Sequence, residues 1–408
     1  MKRIALLVTL FSIAFAGKGS LYSRYGVGEI NTFMSGKNVG MGSTGLAMFG
    51  ETHINMINPA STANISNTII SISYRFSTLN SADATGSSFI GTGNISSMAV
   101  AFPVYAPNKV VMTLGIMPYS TVGYDQQLTQ TIAGSQVVQS FEGRGGITSG
   151  NIGFSYAAAN DMTLGITGHY LFGSIYRDQT ITFLASDYFG GSYNQTFSMS
   201  GFGMTFGGIY SGIDKALGLS ETKNLNLGMT FFTGSSLSFE EQTLRNFSAN
   251  QDTIAPGERT LSLPSGLSFG VAYLNKRTIY ASDIHFQNWS KTTIPGAPTV
   301  FQNSFRIGAG VEFLPISDFA GDEFLRRVSY RLGGFYRISN ITVNGTSIDE
   351  MFATAGISFP LSVETRIHFG LEAGIRGTTS SSLIKDTVLR FNIAVAASEL
   401  MFIQPPIE

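Results

Sequence analysis

The sequence predicts an all-β protein, a transmembrane antiparallel β-barrel of about 14 strands with an N-terminal plug. Only 12% of its 408 residues are charged, whereas about 25% is usual in soluble globular proteins. Beyond the first residues, no apolar run approaches the ~20 residues that a transmembrane helix needs. Apolar and polar residues instead alternate with a period of two. This alternation is typical of strands with lipid on one side and a polar lumen on the other.

The first residues predict an export signal. Lys2 and Arg3 form a basic start, an apolar core follows, and Ala14-Phe15-Ala16 is a small-x-small cleavage site. We therefore expect cleavage after Ala16 and localisation in the outer membrane of a Gram-negative bacterium. An uncleaved N-terminal anchor is the alternative. The chain contains no cysteine, so we expect neither a disulfide framework nor a lipidated cysteine.

Segment 162–170 (MTLGITGHY) illustrates the alternation. Its apolar side chains share one face and its small or polar residues share the other: Met162, Leu164, Ile166 and Tyr170 against Thr163, Gly165, Thr167 and His169. A soluble β-sandwich would also alternate, but its polar face usually carries many Lys and Glu residues. Here that face carries mainly Gly, Thr, Ser and Asn, which favours a barrel in lipid.

Fourteen segments have this character. The predicted strands are 67–79, 95–104, 109–122, 146–157, 162–176, 200–212, 223–238, 264–274, 278–287, 303–314, 327–338, 350–359, 364–376 and 386–398. Longer polar or glycine-rich loops alternate with mostly shorter turns; the predicted loops are 80–94, 123–145, 177–199, 239–263, 288–302, 339–349 and 377–385. An even number of strands places both chain ends on the periplasmic side.

The chain therefore divides into four parts. We expect a signal peptide at 1–16, a plug at 17–66, the barrel at 67–403 and a C-terminal tail at 404–408. Segment 17–66 does not alternate, and it is too rich in Gly and Asn for a long helix. A plug is its simplest role, and an extended periplasmic tail is the alternative.

The stretch GMGSTG at 40–45 formally matches the dinucleotide fingerprint G-x-G-x-x-G. That fingerprint requires a preceding buried strand and a following helix, which place the pyrophosphate at the helix N-terminus. Polar residues precede this stretch and no βαβ unit follows it. We reject a dinucleotide site and expect no cofactor.

The same stretch belongs to a longer pattern, NVGMGSTGLA at 38–47 followed by NPAS at 58–61. This pattern resembles the N-terminal hatch of FadL-type outer-membrane transporters, and the matching positions are Asn38, Gly40, Gly42, Gly45, Asn58, Pro59 and Ala60. Segments 263–270, 283–289 and 330–335 resemble strands of the same family. The resemblance implies a fourteen-stranded barrel with a plug and transport of hydrophobic compounds.

Alternation places charged residues on the lumen side of the second half of the barrel. This predicted charged wall comprises Asp283, His285, Arg306, Glu312, Arg327, Arg331, Arg366, His368, Glu372 and Arg390. Charges of both signs are mixed, and unpaired buried charges would each cost several kcal/mol. One interpretation is a set of salt bridges that grips the plug. The other is a wall that orients the head group of an amphipathic ligand.

Pro118 lies inside the third predicted strand. Proline removes a ladder donor and is normally confined to edges or bulges. The resemblance implies a lateral opening towards the membrane in this part of the barrel, so Pro118 is the candidate for such a gap. The alternative is that the strand simply ends there.

These features predict a passive outer-membrane channel for hydrophobic or amphipathic small molecules such as long-chain fatty acids. The expected partners are outer-membrane lipid and the small-molecule ligand. No spacing of Ser, His and carboxylate residues indicates an enzyme or a metal site, and a net charge of −1 argues against nucleic acid. Two alternatives stay open: a carrier that binds a secreted or envelope protein, and a closed structural barrel.

Overall fold

The computed structural model describes most of the chain. The described residues are 19–31, 35–83, 86–105, 107–132, 134–184, 189–218, 224–247, 250–292, 300–316, 321–361 and 365–399. The expected signal peptide and C-terminal tail lie outside them. No helix in these ranges is long and apolar enough to cross a membrane.

Strands make up most of the described chain. In order they are β1 Glu29–Ile30, β2 Thr68–Ala82, β3 Ser87–Tyr105, β4 Val110–Ile132, β5 Ser135–Ala159, β6 Met162–Phe183, β7 Gly191–Tyr210, β8 Leu225–Phe247, β9 Asn250–Leu263, β10 Gly266–Asn275, β11 Thr278–Gln287, β12 Val300–Phe301, β13 Ser304–Phe313, β14 Ser329–Val343, β15 Thr346–Pro360, β16 Thr365–Gly377 and β17 Lys385–Glu399. Both β9 and β10 pair with β8. They form one strand interrupted at Pro264, since proline cannot donate to the ladder.

The sheet closes on itself. Strands that are consecutive in the barrel pair antiparallel, and β17 pairs with β2 from Lys385 and Ala82 to Glu399 and Thr68. With β9 and β10 counted as one strand, and without the two-residue β1 and β12, the described residues form a barrel of fourteen strands. The predicted fold class is confirmed.

One side of the barrel is much taller than the other. Strands β4 to β8 have 20 to 25 residues, whereas β11 and β13 have 10 each. About 9–11 residues are enough for a strand to cross a membrane. Strands β4 to β9 therefore continue beyond the membrane as a sheet, which we call the tall wall. We call the end where β2 begins the turn end, and the opposite end the tall end.

Several segments predicted as long loops are strands instead, and most of these segments belong to the tall wall. Most of 80–94, 123–145, 177–199 and 239–263 is strand, and β4 and β5 remain paired as far as Ile132 and Ser135. The loop prediction was wrong because polar residues such as Gln, Ser and Thr occupy both faces there. Alternation disappears where both faces meet water, but the hydrogen bonds of the ladder continue.

The segment before β2 fills the lumen as a plug, as predicted, and does not form an extended tail. Near the tall end, the N–H of Gly19 donates to the carbonyl of Gly123 at 2.6 Å. At the turn end, Asn64 accepts a hydrogen bond from Lys109 at 3.2 Å. Between these points many plug side chains, including Met41, are fully buried. The plug thus runs through the lumen from one end to the other.

Candidate functional site: the plugged lumen

The glycine-rich part of the plug motif lies directly against the barrel wall. Gly40 packs on Gly356, and Gly42 packs on the backbone of Gly334 and Ala309. Gly42 has a φ of +63°, which glycine adopts without steric cost. A Cβ atom at Gly42 would lie 2.5 Å from the carbonyl oxygen of Ala309. The close approach of plug and wall therefore depends on this glycine.

Two predicted wall residues hold the same turn. Asp283 Oδ2 accepts hydrogen bonds from the N–H groups of Gly45 at 2.6 Å and Leu46 at 3.0 Å. Arg306 Nη2 donates to the carbonyl of Gly42 at 2.7 Å. The acidic side chain meets backbone donors and the basic side chain meets a backbone carbonyl. Such charge-assisted hydrogen bonds are about twice as strong as neutral ones.

The asparagines of the plug motif join its two halves. Asn58 Oδ1 accepts from the N–H of Ala60 at 3.0 Å and caps the short helix that begins at Pro59. Asn58 Nδ2 donates to the carbonyl of Leu46 at 2.7 Å. Asn38 Nδ2 donates to Asn55 Oδ1 at 3.3 Å. The NVGMGSTG and NPA stretches are therefore parts of one folded unit.

A second contact between plug and wall passes through Glu312. Its carboxylate pairs with Arg331 Nη2 at 2.8 Å and with Lys37 Nζ of the plug at 3.0 Å. Arg331 also donates to Ser358 Oγ at 2.6 Å, and Ser358 Oγ is hydrogen-bonded to His368 Nδ1. Burial lowers the pKa of Lys37, and the charge of Glu312 opposes that shift. Three predicted wall residues thus form one continuous chain of polar contacts.

A further ionic contact holds the first part of the plug. Arg376 donates to both carboxylate oxygens of Glu29, and Arg390 contacts the same carboxylate at 2.9 Å. Arg376 also pairs at 2.9 Å with Glu350, which pairs with Arg337 at 2.6 Å. Burial acts to raise the pKa of Glu29, but the charges of Arg376 and Arg390 outweigh it and hold that pKa well below its usual range.

Sequence reasoning missed four members of this cluster. Two of them lie an even number of residues from a predicted wall residue on the same strand: Arg337 from Arg331, and Arg376 from Glu372. Glu350 lies on the lumen side of β15. The alternation therefore contained the signal for all three. Glu29 lies in the plug, where no periodicity indicates which way a side chain points.

The remaining predicted wall residues are less engaged with the plug. Glu372 is buried and lies 4.0 Å from Arg390. His285 Nδ1 is 3.0 Å from Ser268 Oγ on the neighbouring strand. Arg366 is half-buried near the turn end.

The placement of Arg327 corrects the prediction. We expected it on a strand facing the lumen, but it ends the 3-10 helix Phe324–Arg327 before β14. The N–H of Val328 bonds the carbonyl of Leu325 and closes that helical turn. The ladder therefore starts only at Ser329, and the alternation does not extend back to Arg327.

A cavity of about 150 Å³ lies between the plug and the wall, and we call it the lumen cavity. Its apolar lining includes Met56, Ile57, Phe232 and Trp289, and its polar lining includes His285, Arg306 and Arg337. Within the described residues, Arg306 Nε, Arg337 Nε and His285 Nε2 have no hydrogen-bond partner. An apolar cavity with a few such polar atoms is typical of small-molecule sites.

His169 stands between the lumen cavity and the outer surface. Its ring nitrogens are hydrogen-bonded to Asn151 at 2.5 Å and Thr205 at 2.7 Å. A passage of about 20 Å³, which we call the His169 passage, adjoins the lumen cavity. A groove of about 740 Å³, the lipid-facing groove, lies on the outer surface of β2 to β7. His169 lines all three spaces.

The wall changes its pairing close to Pro118. The ladder between β3 and β4 ends at Met98 and Ile116, although β4 continues to Ile132. The register between β4 and β5 also shifts just after Pro118. Beyond this point β4 pairs instead with β1 of the plug. The strand does not simply end at Pro118: it stays paired with β5, and on its other edge the partner changes from β3 to β1 of the plug.

The described residues contain no group of three or more His, Cys, Asp or Glu side chains that could hold a metal ion. Ser358 and His368 are hydrogen-bonded, but Ser358 is also held by Arg331. His368 Nε2 has no partner in the described part of the chain. Among the described residues, no carboxylate therefore orients this histidine as in a catalytic triad.

The barrel with its internal plug has the fold of known hydrocarbon channels. The CymD monoaromatic hydrocarbon channel is 12% identical, with a TM-score of 0.60 over 92% of this chain and 99% of that one. A Pseudomonas aeruginosa FadL homologue is 11% identical, with a TM-score of 0.62 over 91% and 99%. The Pseudomonas putida toluene transporter TodX is 15% identical, with a TM-score of 0.61 over 91% and 98%.

Fold and plug together define an outer-membrane β-barrel of the FadL type. No curated protein matches the sequence. The chain belongs to the BamG family, whose model matches residues 1–407.

Proposed function

We propose that this protein is an outer-membrane channel for the passive uptake of hydrophobic or amphipathic small molecules. The observation that carries the proposal is the series of three adjoining spaces: the lumen cavity, the His169 passage and the lipid-facing groove. A molecule captured in the lumen would leave sideways into the membrane. Export by a signal peptide cleaved after Ala16 would deliver the chain to the outer membrane.

The lumen cavity suits a ligand with an apolar body and an acceptor head group. Trp289 and Phe232 supply apolar surface, while the free nitrogens of Arg306, Arg337 and His285 supply polar contacts. A carboxylate would accept charge-assisted hydrogen bonds from the two guanidinium groups. The predicted charged wall would thus both grip the plug and orient the head group of the ligand, because Arg306 also donates to the carbonyl of Gly42 in the plug.

Trp289 provides a direct test, since it is the only tryptophan in the chain and lines the lumen cavity. Adding dodecanoate to the mature protein in an uncharged detergent is expected to change its fluorescence saturably. Arg337→Lys keeps the charge opposite Glu350 but removes Nε, so binding should weaken about tenfold. Arg245→Lys, on the tall wall, is the matched control. The absence of any saturable change would contradict a ligand site in this cavity.

His169→Ala is expected to widen the His169 passage, because it removes the ring and both of its hydrogen bonds. If the barrier falls by about 1.4 kcal/mol, lateral release should become roughly tenfold faster. Stopped-flow transfer of a fluorescent fatty acid from the protein into vesicles would measure this rate. Arg245→Ala is the matched control, since Arg245 lies on the tall wall and lines neither the lumen cavity nor the passage. Equal rates in the two variants would argue against a lateral route through His169.

The tall wall supports a second candidate, a carrier that binds a secreted or envelope protein. Large apolar side chains are exposed near its tips, among them Phe189 at 81% and Leu184 at 61% exposure. Exposed apolar clusters on an otherwise polar surface often mark protein contacts. Purification from the native membrane in mild detergent, followed by mass spectrometry, separates the candidates. A bound acyl compound supports uptake, and a stoichiometric protein without a small ligand supports the carrier.

A further inference from the structure

A second cavity, of about 450 Å³, lies at the turn end of the lumen beneath the plug. We call it the basal cavity. It is separated from the lumen cavity, and no residue lines both. Its basic lining residues are Lys37, Arg277, Arg331 and Arg366, whereas its acidic ones are Glu51 and Glu312. Glu312 pairs with both Lys37 and Arg331, so this group of two basic side chains and one acidic side chain carries a net charge of +1.

Two buried histidines line this cavity and lie close to each other. His53 of the plug and His368 of β16 are each 3% exposed, and their ring centroids are 6.2 Å apart. Both ring nitrogens of His53 and the Nε2 of His368 lack hydrogen-bond partners in the described residues. Buried polar nitrogens without partners are uncommon, because leaving one unsatisfied costs about 1–3 kcal/mol.

His368 Nδ1 is hydrogen-bonded to Ser358 Oγ, which also accepts a hydrogen bond from Arg331. In the tautomer in which the Ser358 hydroxyl donates to Nδ1, the ring proton of neutral His368 lies on Nε2. That N–H group donates to no described residue. Neutral His53 likewise carries one N–H group without an acceptor.

We propose that the basal cavity is a binding site for an oxyanion, a phosphate or carboxylate group. The oxyanion accepts hydrogen bonds from His53 and His368 and is balanced by the net positive charge of the group formed by Lys37, Glu312 and Arg331. Because His53 belongs to the plug and His368 to the barrel, the bound anion bridges plug and wall. Burial lowers the pKa of His53 well below 6.5, with smaller contributions from Lys37 and Arg331. An anion at this position opposes that shift.

The four histidines of the chain make the test simple. The mature protein is labelled with ¹⁵N-histidine in an uncharged detergent and titrated with inorganic phosphate. The variants His169→Ala and His285→Ala identify the two signals that lie outside the basal cavity. We expect the other two signals to move saturably. Lys37→Gln should weaken this response about tenfold, because it removes the net positive charge of the group, whereas Arg245→Gln should leave it unchanged.

Two further titrations identify the source of the anion. Sodium chloride at equal ionic strength measures simple screening, and short-chain phosphatidic acid represents a lipid head group. A response to phosphatidic acid alone supports the site and assigns it to lipid, whereas a response to inorganic phosphate assigns it to free anions. If neither phosphate nor phosphatidic acid moves the two signals, or chloride moves them equally, the proposal is overturned.

Discussion

Glu29→Ala is expected to release the first part of the plug from the barrel wall. The change leaves Arg376 and Arg390, both largely buried, without the carboxylate that they share. Removing one partner of a fully buried ion pair costs about 3–5 kcal/mol. The Glu29 side chain is 25% exposed, so we expect a smaller cost of about 2 kcal/mol after solvent screening.

Hydrogen exchange measured by mass spectrometry would detect this release. A cost of about 2 kcal/mol corresponds to roughly 30-fold faster exchange in residues 19–31, if exchange follows local opening. Glu51→Ala removes an exposed plug carboxylate and is the matched control. Similar exchange in the two variants would show that the ionic contact does not fasten the plug.

The sign of the pH dependence follows from the depressed pKa of Glu29. Its stabilising contribution is fully present above the ordinary carboxyl pKa of 4.5, and it is lost only as the pH falls through the lower folded-state value. Residues 19–31 of the wild-type plug, which contain no histidine, should therefore exchange equally slowly at pH 5 and pH 8, after correction for intrinsic rates. A rise in exchange between these values would assign the fastening to other groups.

Gly42→Ala is expected to displace the centre of the plug from the barrel wall. Alanine at a positive φ costs about 1–2 kcal/mol, and its Cβ would also meet the backbone of Gly334 and Ala309. Backbone atoms on a closed barrel cannot easily move aside. We therefore expect a total cost above about 3 kcal/mol, which would open the lumen while the barrel remains folded.

The variant Gly345→Ala separates the cost of a positive φ from the cost of contact with the barrel backbone. Gly345 has a φ of +75°, but nothing lies within 4 Å of the position of its Cβ. It should show the conformational cost alone. Conductance in planar bilayers is expected to rise for Gly42→Ala and stay at the wild-type level for Gly345→Ala. Matching conductances would mean that the plug tolerates displacement of this turn.

The fourteen strands could be predicted because membrane and lumen impose opposite preferences on successive residues. In β6, Tyr170 faces lipid while its neighbour His169 is buried and faces inward. That contrast is absent above the membrane, so the sequence of the upper parts of β4 and β5 predicts loops. Pairing between strands decides their structure there, and a single segment of sequence does not reveal its partner.

The charged wall was predictable only as a face, not as a set of contacts. Alternation assigned Asp283 and Arg306 to the lumen, but it could not show that both bind the turn at Gly42 to Leu46. Those contacts depend on the path of a plug without periodicity. For the same reason, no sequence pattern predicted that His53 would lie close to His368.

The seam between β2 and β17 has a consequence for how the molecule is built. Thr68 pairs with Glu399, so the last ladder joins residues from opposite ends of the barrel sequence. Contacts of such high sequence separation form late, because the intervening chain must first be ordered. The plug is attached directly to β2 and extends to the far end of the lumen. Wrapping the growing sheet around the plug before the seam pairs avoids threading the N-terminal chain through a finished cylinder. The order of these steps then matters for the biogenesis of this protein, because premature closure of the seam would leave the N-terminal segment outside the barrel.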